Sequence, residues 1–349
     1  MKVLSAIRIG NMKDPDESKR GKVATLDMPC SPLGDEDVKV KVAYCAICGS
    51  DPHLVGGIFG WEPPFGLGHE MSGVVTEIGK KVSKKWLKVG DRVSGNFLAF
   101  CGSCYYCRNG QEQFCENTRN QPAMAEYVVW HESQIVPLPD TISLKNGCQL
   151  EPVSIAVRIL DKCNMQVGKR VAISGGGPIG LLTLQMFKMF GATNLTLIEP
   201  NKERQDLAHE WGADAVIDPL TQNVTEEGLR ITHGLGYDVV VEVSGAPSAA
   251  VAALKIAAKG GTVLYAAMFP AGYDLPVNLY HYCYSQELTI TGTLIAPYSY
   301  PRAIQILPSM DLDAFTEHVF SIDQPEEAFN AHLSGKYPKI LIHCNSDLN

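Results

Sequence analysis

The sequence predicts an α/β chain in which a β-rich domain is split around a doubly wound, parallel-sheet domain. Between residues 38 and 129, short alternating or β-branched runs are separated by Gly, Pro and Asp turns. From about residue 150 to 290 the texture changes to apolar strands alternating with helical stretches, as right-handed crossovers in a parallel sheet require. A last apolar run at 339–342 is expected to return to the first domain. The expected boundaries are therefore 1–155 with 294–349 for the split domain and 156–293 for the inserted one.

Bulk properties agree with this division. A chain of 349 residues can build about two sizeable cores. Lys and Arg number 30 against 38 Asp and Glu, a formal net charge of -8, so nothing favours nucleic acid or a membrane surface as partner. No segment approaches an uninterrupted membrane-spanning length, and residues 1–8 become charged too soon for a signal peptide, which makes the cytoplasm the expected compartment. Eleven cysteines, four of them within residues 101–115, fit metal ligation better than a secreted disulfide framework.

In the first domain the strands are expected at 38–42, 73–78, 89–93 and 125–129, with the polar stretch 10–21 as a surface loop or hairpin tip. In the second they are expected at 171–174, 194–199, 215–217, 237–243, 261–267 and 288–290, the number that suits a dinucleotide-binding sheet. Helices are expected at 153–160, 179–190 and near 300–307.

The clearest local signal is Cys101-x2-Cys104-x2-Cys107-x7-Cys115. Four thiolates on one compact lobe can close a tetrahedral structural zinc site, with Gly102, Asn109 and Gly110 helping the backbone fold around it. An iron-sulfur cluster is the rival metal, and free or disulfide-paired thiols the alternative without one.

Next, Val171-Ala-Ile-Ser174 enters Gly175-Gly-Gly177-Pro178-Ile179-Gly180 and an apolar helix. Gly175 permits the turn, Gly177 lets a pyrophosphate approach the backbone, and Gly180 allows close helix–strand contact, while the helix N-terminus supplies N–H donors. Glu199 ends the second strand, where it can accept from an adenosine ribose and repel a 2′-phosphate; this favours NAD over NADP, with Lys202 and Arg204 just beyond as the opposing sign. Ser244, at the end of the strand closing with Glu242, lies on the face where a nicotinamide ribose would sit.

Upstream of both, Cys48-Gly-Ser50-Asp51-Pro-His53 and Gly68-His69-Glu70 place a thiol, imidazoles and carboxylates between strand-like segments, a donor set suited to a borderline-soft divalent ion such as zinc. Adjacent side chains do not share a face of a regular strand or helix, so His69 and Glu70 can act together only on irregular backbone. Asp51 is expected to fix the loop or orient His69 rather than react.

These features, with Gly90-Asp-Arg-Val, Glu151-Pro152 and the glycine turn, resemble the zinc-containing medium-chain dehydrogenases over nearly the whole chain, and most of all their polyol or sorbitol-type branch. The resemblance implies a GroES-like catalytic domain split around a Rossmann domain, two zinc ions per chain, NAD as cofactor and a homodimer or homotetramer. It implies Cys48 and His69 as ligands of a catalytic zinc and Cys101, Cys104, Cys107 and Cys115 as ligands of a structural one. Glu151 stands where related alcohol dehydrogenases have another cysteine; Glu70 is expected as direct ligand with Glu151 beside the metal through water, or the two exchange. A plain helix-start carboxylate is the other reading of Glu151.

The implied chemistry is hydride transfer between NAD(H) and the secondary alcohol or ketone of a polyol, cyclitol or sugar derivative, with zinc stabilising charge on the reacting oxygen. By the same resemblance Ser50 takes the alcohol proton and passes it through the cofactor ribose; His53 is either the group that releases it to solvent or an ordinary exposed loop histidine. Phe59, Trp61 and Met124 either shape the substrate cleft or simply pack. Cys30, Cys45, Cys148, Cys163, Cys283 and Cys344 are read as small buried thiols. Where sorbitol-type enzymes carry an Arg-Tyr pair this chain has Ile295-Ala296, which counts against sorbitol itself; the loop at 116–124 is short, which leaves room for a cyclic or substituted sugar unless a loop elsewhere fills the space. A threonine-type β-hydroxy acid dehydrogenase and a redox-silent nucleotide-binding protein are the alternatives.

Overall fold

The computed structural model describes residues 1–270 and 272–348. In chain order the strands are β1 (Lys2–Arg8), β2 (Lys22–Asp27), β3 (Asp37–Ala46), β4 (Phe65–Gly66), β5 (Glu70–Ile78), β6 (Arg92–Gly95), β7 (Tyr127–His131) and β8 (Ile135–Pro137). They continue with β9 (Arg170–Ser174), β10 (Thr193–Ile198), β11 (Ala215–Ile217), β12 (Tyr237–Glu242), β13 (Ala257–Tyr265), β14 (Thr289–Gly292), β15 (Val319–Ser321) and β16 (Leu341–His343). Two compact units result: Met1–Glu151 with Tyr300–Asn349, and Pro152–Ser299.

The first unit is a GroES-like β domain. Its larger sheet runs β15-β16-β3-β5-β6-β8, with β7 also on β3, and a smaller sheet runs β2-β1-β4. Strand β3 shows the period of two that drives this: Val38, Val40 and Val42 are fully buried while Lys39 and Lys41 keep partial exposure and pair with Glu77 and Asp347. Beyond Val42 the strand is buried on both faces, with β5 along one edge and β16 along the other. The polar stretch at 10–21 does join an antiparallel hairpin, β1 with β2.

The second unit is a Rossmann-type sheet. All its strands are parallel in the order β11-β10-β9-β12-β13-β14, which in chain order is the 3-2-1-4-5-6 arrangement of a doubly wound fold. Val171 to Ile173 and Val239 to Val241 in the central strands are fully buried, as expected where helices cover both faces.

Two expectations need correction. The strand expected at 89–93 begins only at Arg92, because Gly90 takes φ +95° in a turn tied by Asp91 to the Lys88 N–H, and Val89 is left 63% exposed. The six unclustered cysteines are not all buried: Cys45, Cys148, Cys163 and Cys344 are, Cys30 is partly exposed, and Cys283 is exposed in the short helix Tyr280–Ser285. Among the described residues no helix is long and apolar enough to cross a membrane.

A forked ion pair clips β9 to β12. Arg170 donates from Nε to Asp238 Oδ2 at 2.9 Å and from its terminal nitrogen to Oδ1 at 2.6 Å, and its backbone N–H adds a third bond to Oδ2 at 2.8 Å. The guanidinium holds the Asp238 carboxyl below the usual aspartate range despite its partial burial. Asp238→Asn is therefore expected to lower unfolding stability by about 1–3 kcal/mol at neutral pH. Because the folded value lies below the unfolded one, this contribution is complete above the ordinary aspartate value of about 4 and fades as pH falls through the folded value. Denaturant melts of both proteins across that range check it; a gap that does not narrow on acidification contradicts it.

Candidate functional site

Asp51 brings the first donors together. Fully buried at the start of the short helix Ser50–Val55, its Oδ2 accepts the Cys48 N–H at 2.9 Å and its Oδ1 the Gly68 N–H at 3.1 Å. One carboxylate thus closes an excursion of the chain whose two ends carry Cys48 and His69. Burial pushes the Asp51 carboxyl up, with His69 and the Cys48 N–H opposing.

The irregular backbone that His69 and Glu70 require is supplied by Gly68. It adopts φ +85°, so that His69 precedes the regular strand and Glu70 begins it. As a result the ligand atoms of Cys48, His69 and Glu70 all lie within 4.8 Å of one another. The His69 ring also packs on Phe97, with centroids 4.8 Å apart.

Charge around this cluster favours a cation. Burial works against an imidazolium, yet Cys48, Asp51 and Glu151 together push His69 up to about 10. Burial pushes the Glu151 carboxyl up to about 7, Glu70 adding to the rise and His69 opposing it. Glu151 lies in the first turn of the helix Leu150–Lys162 and is 5% exposed; it stands outside the Cys48–His69–Glu70 group but acts on His69 and on Lys339 through charge. A thiolate, an imidazole and a carboxylate at this spacing fit zinc.

Lys339 is the residue that sequence reasoning missed. Its Nζ donates to Glu70 Oε1 at 2.7 Å and lies 2.6 Å from Oε2, with side chains only 2% and 1% exposed. The one sign of it in the sequence is that a lysine opens the otherwise apolar run at 339–342, Lys339-Ile340-Leu341-Ile342.

Ser50 is partly buried at the first position of its helix and His53 is exposed one turn later, so the two share a helix face. Phe59 and Trp61 are exposed on the same excursion, their centroids 5.5 Å apart, and Trp61 meets Phe65 edge-on at 5.4 Å. Met124 is fully buried and packs beneath Gly68 instead.

The four-cysteine lobe folds around the short helix Tyr105–Arg108 with Gly102 and Gly110 at positive φ. The sulfurs of Cys101, Cys104, Cys107 and Cys115 lie within 4.8 Å of one another, and none of the eleven cysteines is disulfide-bonded. The N–H and hydroxyl of Ser103 hold the Cys101 thiol down to about 5, and its sulfur also accepts the Cys104 N–H at 3.4 Å. A ready thiolate amid N–H donors fits a tetrahedral metal.

In the second unit, Gly175 leaves β9 at φ +106° and Gly177 caps the helix Pro178–Met189 with open space where a side chain would stand, while Gly180 packs on the Gly175 carbonyl. Pro178 and Ile179 form the first turn, which leaves backbone donors facing outward as a pyrophosphate requires. Glu199 follows β10; its Oε2 accepts the Gly176 N–H at 2.5 Å and its Oε1 the Asn201 N–H at 2.9 Å. The Arg204 Nε is buried with no hydrogen-bond partner. Ser244 is exposed just past β12 and hydrogen-bonds Glu242, which is fully buried. Ile295 holds φ +41°, an unusual conformation for a β-branched residue, and Ala296 is 3% exposed, so this pair offers apolar packing.

Known proteins share these features. The alcohol dehydrogenase GroES-like domain matches residues 34–140 and the zinc-binding dehydrogenase domain residues 178–309. The chain is 32% identical to D-arabitol-phosphate dehydrogenase of Enterococcus avium, over 93% of this chain and 95% of that protein. It is 31% identical to L-threonine 3-dehydrogenase of Rhizobium etli, over 90% and 93%. A solved structure from Sinorhizobium meliloti, described as a zinc-binding dehydrogenase bound to NADP, superposes with a TM-score of 0.84 at 30% identity, covering 98% of this chain and all of that one.

The Gly68 geometry can be tested directly. A Cβ there would lie 2.4 Å from Met124 Cγ and 2.8 Å from Cys45 Sγ, on top of the strained φ. Gly68→Ala is expected to cost about 2–4 kcal/mol in unfolding stability. Gly90→Ala, with φ +95° but open space around it, should lose distinctly less. Equal losses in thermal melts of the two variants would contradict the close-packing account.

Proposed function

Because the chain belongs to the zinc-binding alcohol dehydrogenase family of medium-chain dehydrogenases, we propose that it interconverts a secondary alcohol and a ketone on a polyol, cyclitol or sugar derivative, with NAD(H) as hydride carrier. The observation that carries the reading is the convergence of Cys48, His69 and Glu70 within 4.8 Å, beside the buried Glu151. The likeness to D-arabitol-phosphate dehydrogenase supports the substrate class, and the apolar Ile295-Ala296 pair argues against sorbitol itself.

Cys48, His69 and Glu70 are the proposed zinc ligands, with Glu151 the neighbouring carboxylate that stands by or exchanges with Glu70; Cys101, Cys104, Cys107 and Cys115 hold a second, structural zinc. When bound, the metal supplies an electrophile for the carbinol or carbonyl oxygen and the nicotinamide supplies the hydride acceptor or donor. The chain's own part is to receive the proton. Ser50, two residues from Cys48, accepts it from the alcohol as it passes its own proton on through the cofactor ribose towards His53, on the same helix face, which releases it to solvent. Gly175, Gly177, Pro178, Ile179 and Gly180 are the proposed pyrophosphate cradle, Glu199 the ribose acceptor, Ser244 the residue near the nicotinamide ribose and Arg204 a flanking contact.

The experiment is metal content together with NADH absorbance on a panel of polyols, cyclitols, sugar phosphates and threonine. About two zinc ions per chain and turnover of a hydroxylated carbon chain or ring are expected. Turnover of threonine alone would transfer the reading to a β-hydroxy acid dehydrogenase, and NAD binding without any turnover to a redox-silent protein. Cys48→Ser should abolish turnover, by at least about a hundredfold, while NAD affinity is retained; unchanged turnover contradicts the ligand assignment.

Cofactor choice has its own test. The wild type should show a KM for NADP about tenfold or more above that for NAD, and Glu199→Ser should narrow the ratio by about tenfold, since a carboxylate no longer faces the 2′-phosphate. A wild type that prefers NADP would instead make Arg204 the determining contact.

A further inference from the structure

The proposed mechanism leaves one buried charge without a task. Lys339 brings its ammonium 2.7 and 2.6 Å from the two Glu70 oxygens in a place almost closed to water, where an unpaired charge would be costly. The pairing of strands puts it there. Ala46 on β3 has Glu70 of β5 on one side and Leu341 of β16 on the other, and the Ile47 N–H donates to the Ile340 carbonyl at 2.9 Å. Continuing that register sets Lys339 level with Cys48, on the opposite edge of β3 from Glu70.

The consequence concerns how Glu70 can act as a donor. A carboxylate beside a divalent ion can offer one oxygen or both, and offering both occupies a second coordination position. Glu70 Oε1 already accepts from an ammonium, which weakens it as a donor and holds the carboxylate, while Oε2, 2.6 Å from the same nitrogen, has no hydrogen-bond partner and is the oxygen left to offer. We propose that Lys339 is a positioning residue that restricts Glu70 to a one-oxygen, readily released contact with a metal in the Cys48–His69 site, so that one coordination position stays exchangeable. This rests on the reading of that site as a zinc site, and on no particular substrate.

The test uses the full chain with Lys339→Met, Lys339→Gln and Lys339→Arg, each loaded with zinc and, separately, with cobalt(II) at the Cys48 site. Three quantities are read: metal affinity by chelator competition, the intensity of the visible cobalt absorption, which is strong for four-coordinate and weak for higher-coordinate ions, and kcat apart from KM. In Lys339→Met the metal should bind as tightly as in the wild type or up to about tenfold tighter, the cobalt band should weaken, and kcat should fall about tenfold or more with KM for the nicotinamide cofactor unchanged. Lys339→Arg, which keeps a cation able to donate to Glu70, should return all three towards wild type.

A purely structural lysine gives another pattern: Lys339→Met and Lys339→Gln lose metal and activity in step or fail to fold, and that result overturns the proposal. An unchanged cobalt spectrum with unchanged kcat overturns it as well, as does a Lys339→Arg variant no better than Lys339→Met. Wild-type protein that binds no metal at Cys48 overturns both this proposal and the zinc reading. Wild-type protein that binds metal but turns over none of the alcohols counts only against the substrate reading, and the affinity and cobalt measurements then decide the role of Lys339.

Discussion

The candidate metal site depends on a single buried carboxylate acting as a clasp. Asp51 accepts the N–H of Cys48 with one oxygen and the N–H of Gly68 with the other, and so joins the two ends of the excursion that carries Ser50, His53, Phe59 and Trp61. Two acceptor oxygens on one short side chain let it hold backbone donors from separate segments at once. The clasp also explains how an exposed excursion with several glycines can carry residues that need fixed geometry: its freedom is removed at the base, where Cys48 and His69 stand, and kept at the tip.

Strand β3 performs the corresponding task for the rest of the site. Its first half alternates buried valines with lysines and builds the sheet; its second half, buried on both faces, delivers Cys48 at its end. Because β5 and β16 flank this second half, Glu70 arrives on one edge and Lys339 on the other without any sequence proximity between them. The bulges where β3 changes register against β5 come between Lys39 and Val40 and between Val42 and Tyr44, before the segment that carries the site, so the pairing around Ala46 is regular.

What could be read from the sequence was whatever is local. The four-cysteine lobe, the glycine turn with Glu199, and the pieces around Cys48 and His69 each lie within a few tens of residues, and turn chemistry announces them. The adjacency of His69 and Glu70 posed a steric question whose answer, the positive φ of Gly68, was written one residue earlier. Errors arose where a feature depends on distant packing. Val89 has the composition of a strand but sits on a turn, Cys283 has the composition of a core residue but lies exposed, and Lys339 is a charged residue that only strand register carries into the interior, 269 residues from Glu70. The apolar run 339–342 was legible as a returning strand, but its pattern carries no information about which strand lies alongside and so none about the partner of Lys339.

The charges collected at the site then explain one another. Acidic groups gather at the site, Asp51, Glu70 and Glu151 buried and Cys48 partly exposed, beside a buried lysine, Lys339, and the His69 ring. Burial, with Glu70 adding to it, makes the Glu151 carboxyl resist losing its proton, while Cys48, Asp51 and Glu151 favour a proton on the His69 ring against burial. A divalent ion held by Cys48, His69 and Glu70 would relieve both pressures together, since it would bring two positive charges and require the imidazole neutral. Lys339 belongs to the same balance: its ammonium is paired with Glu70, so that of the buried carboxylates at the site one already has a cation of its own.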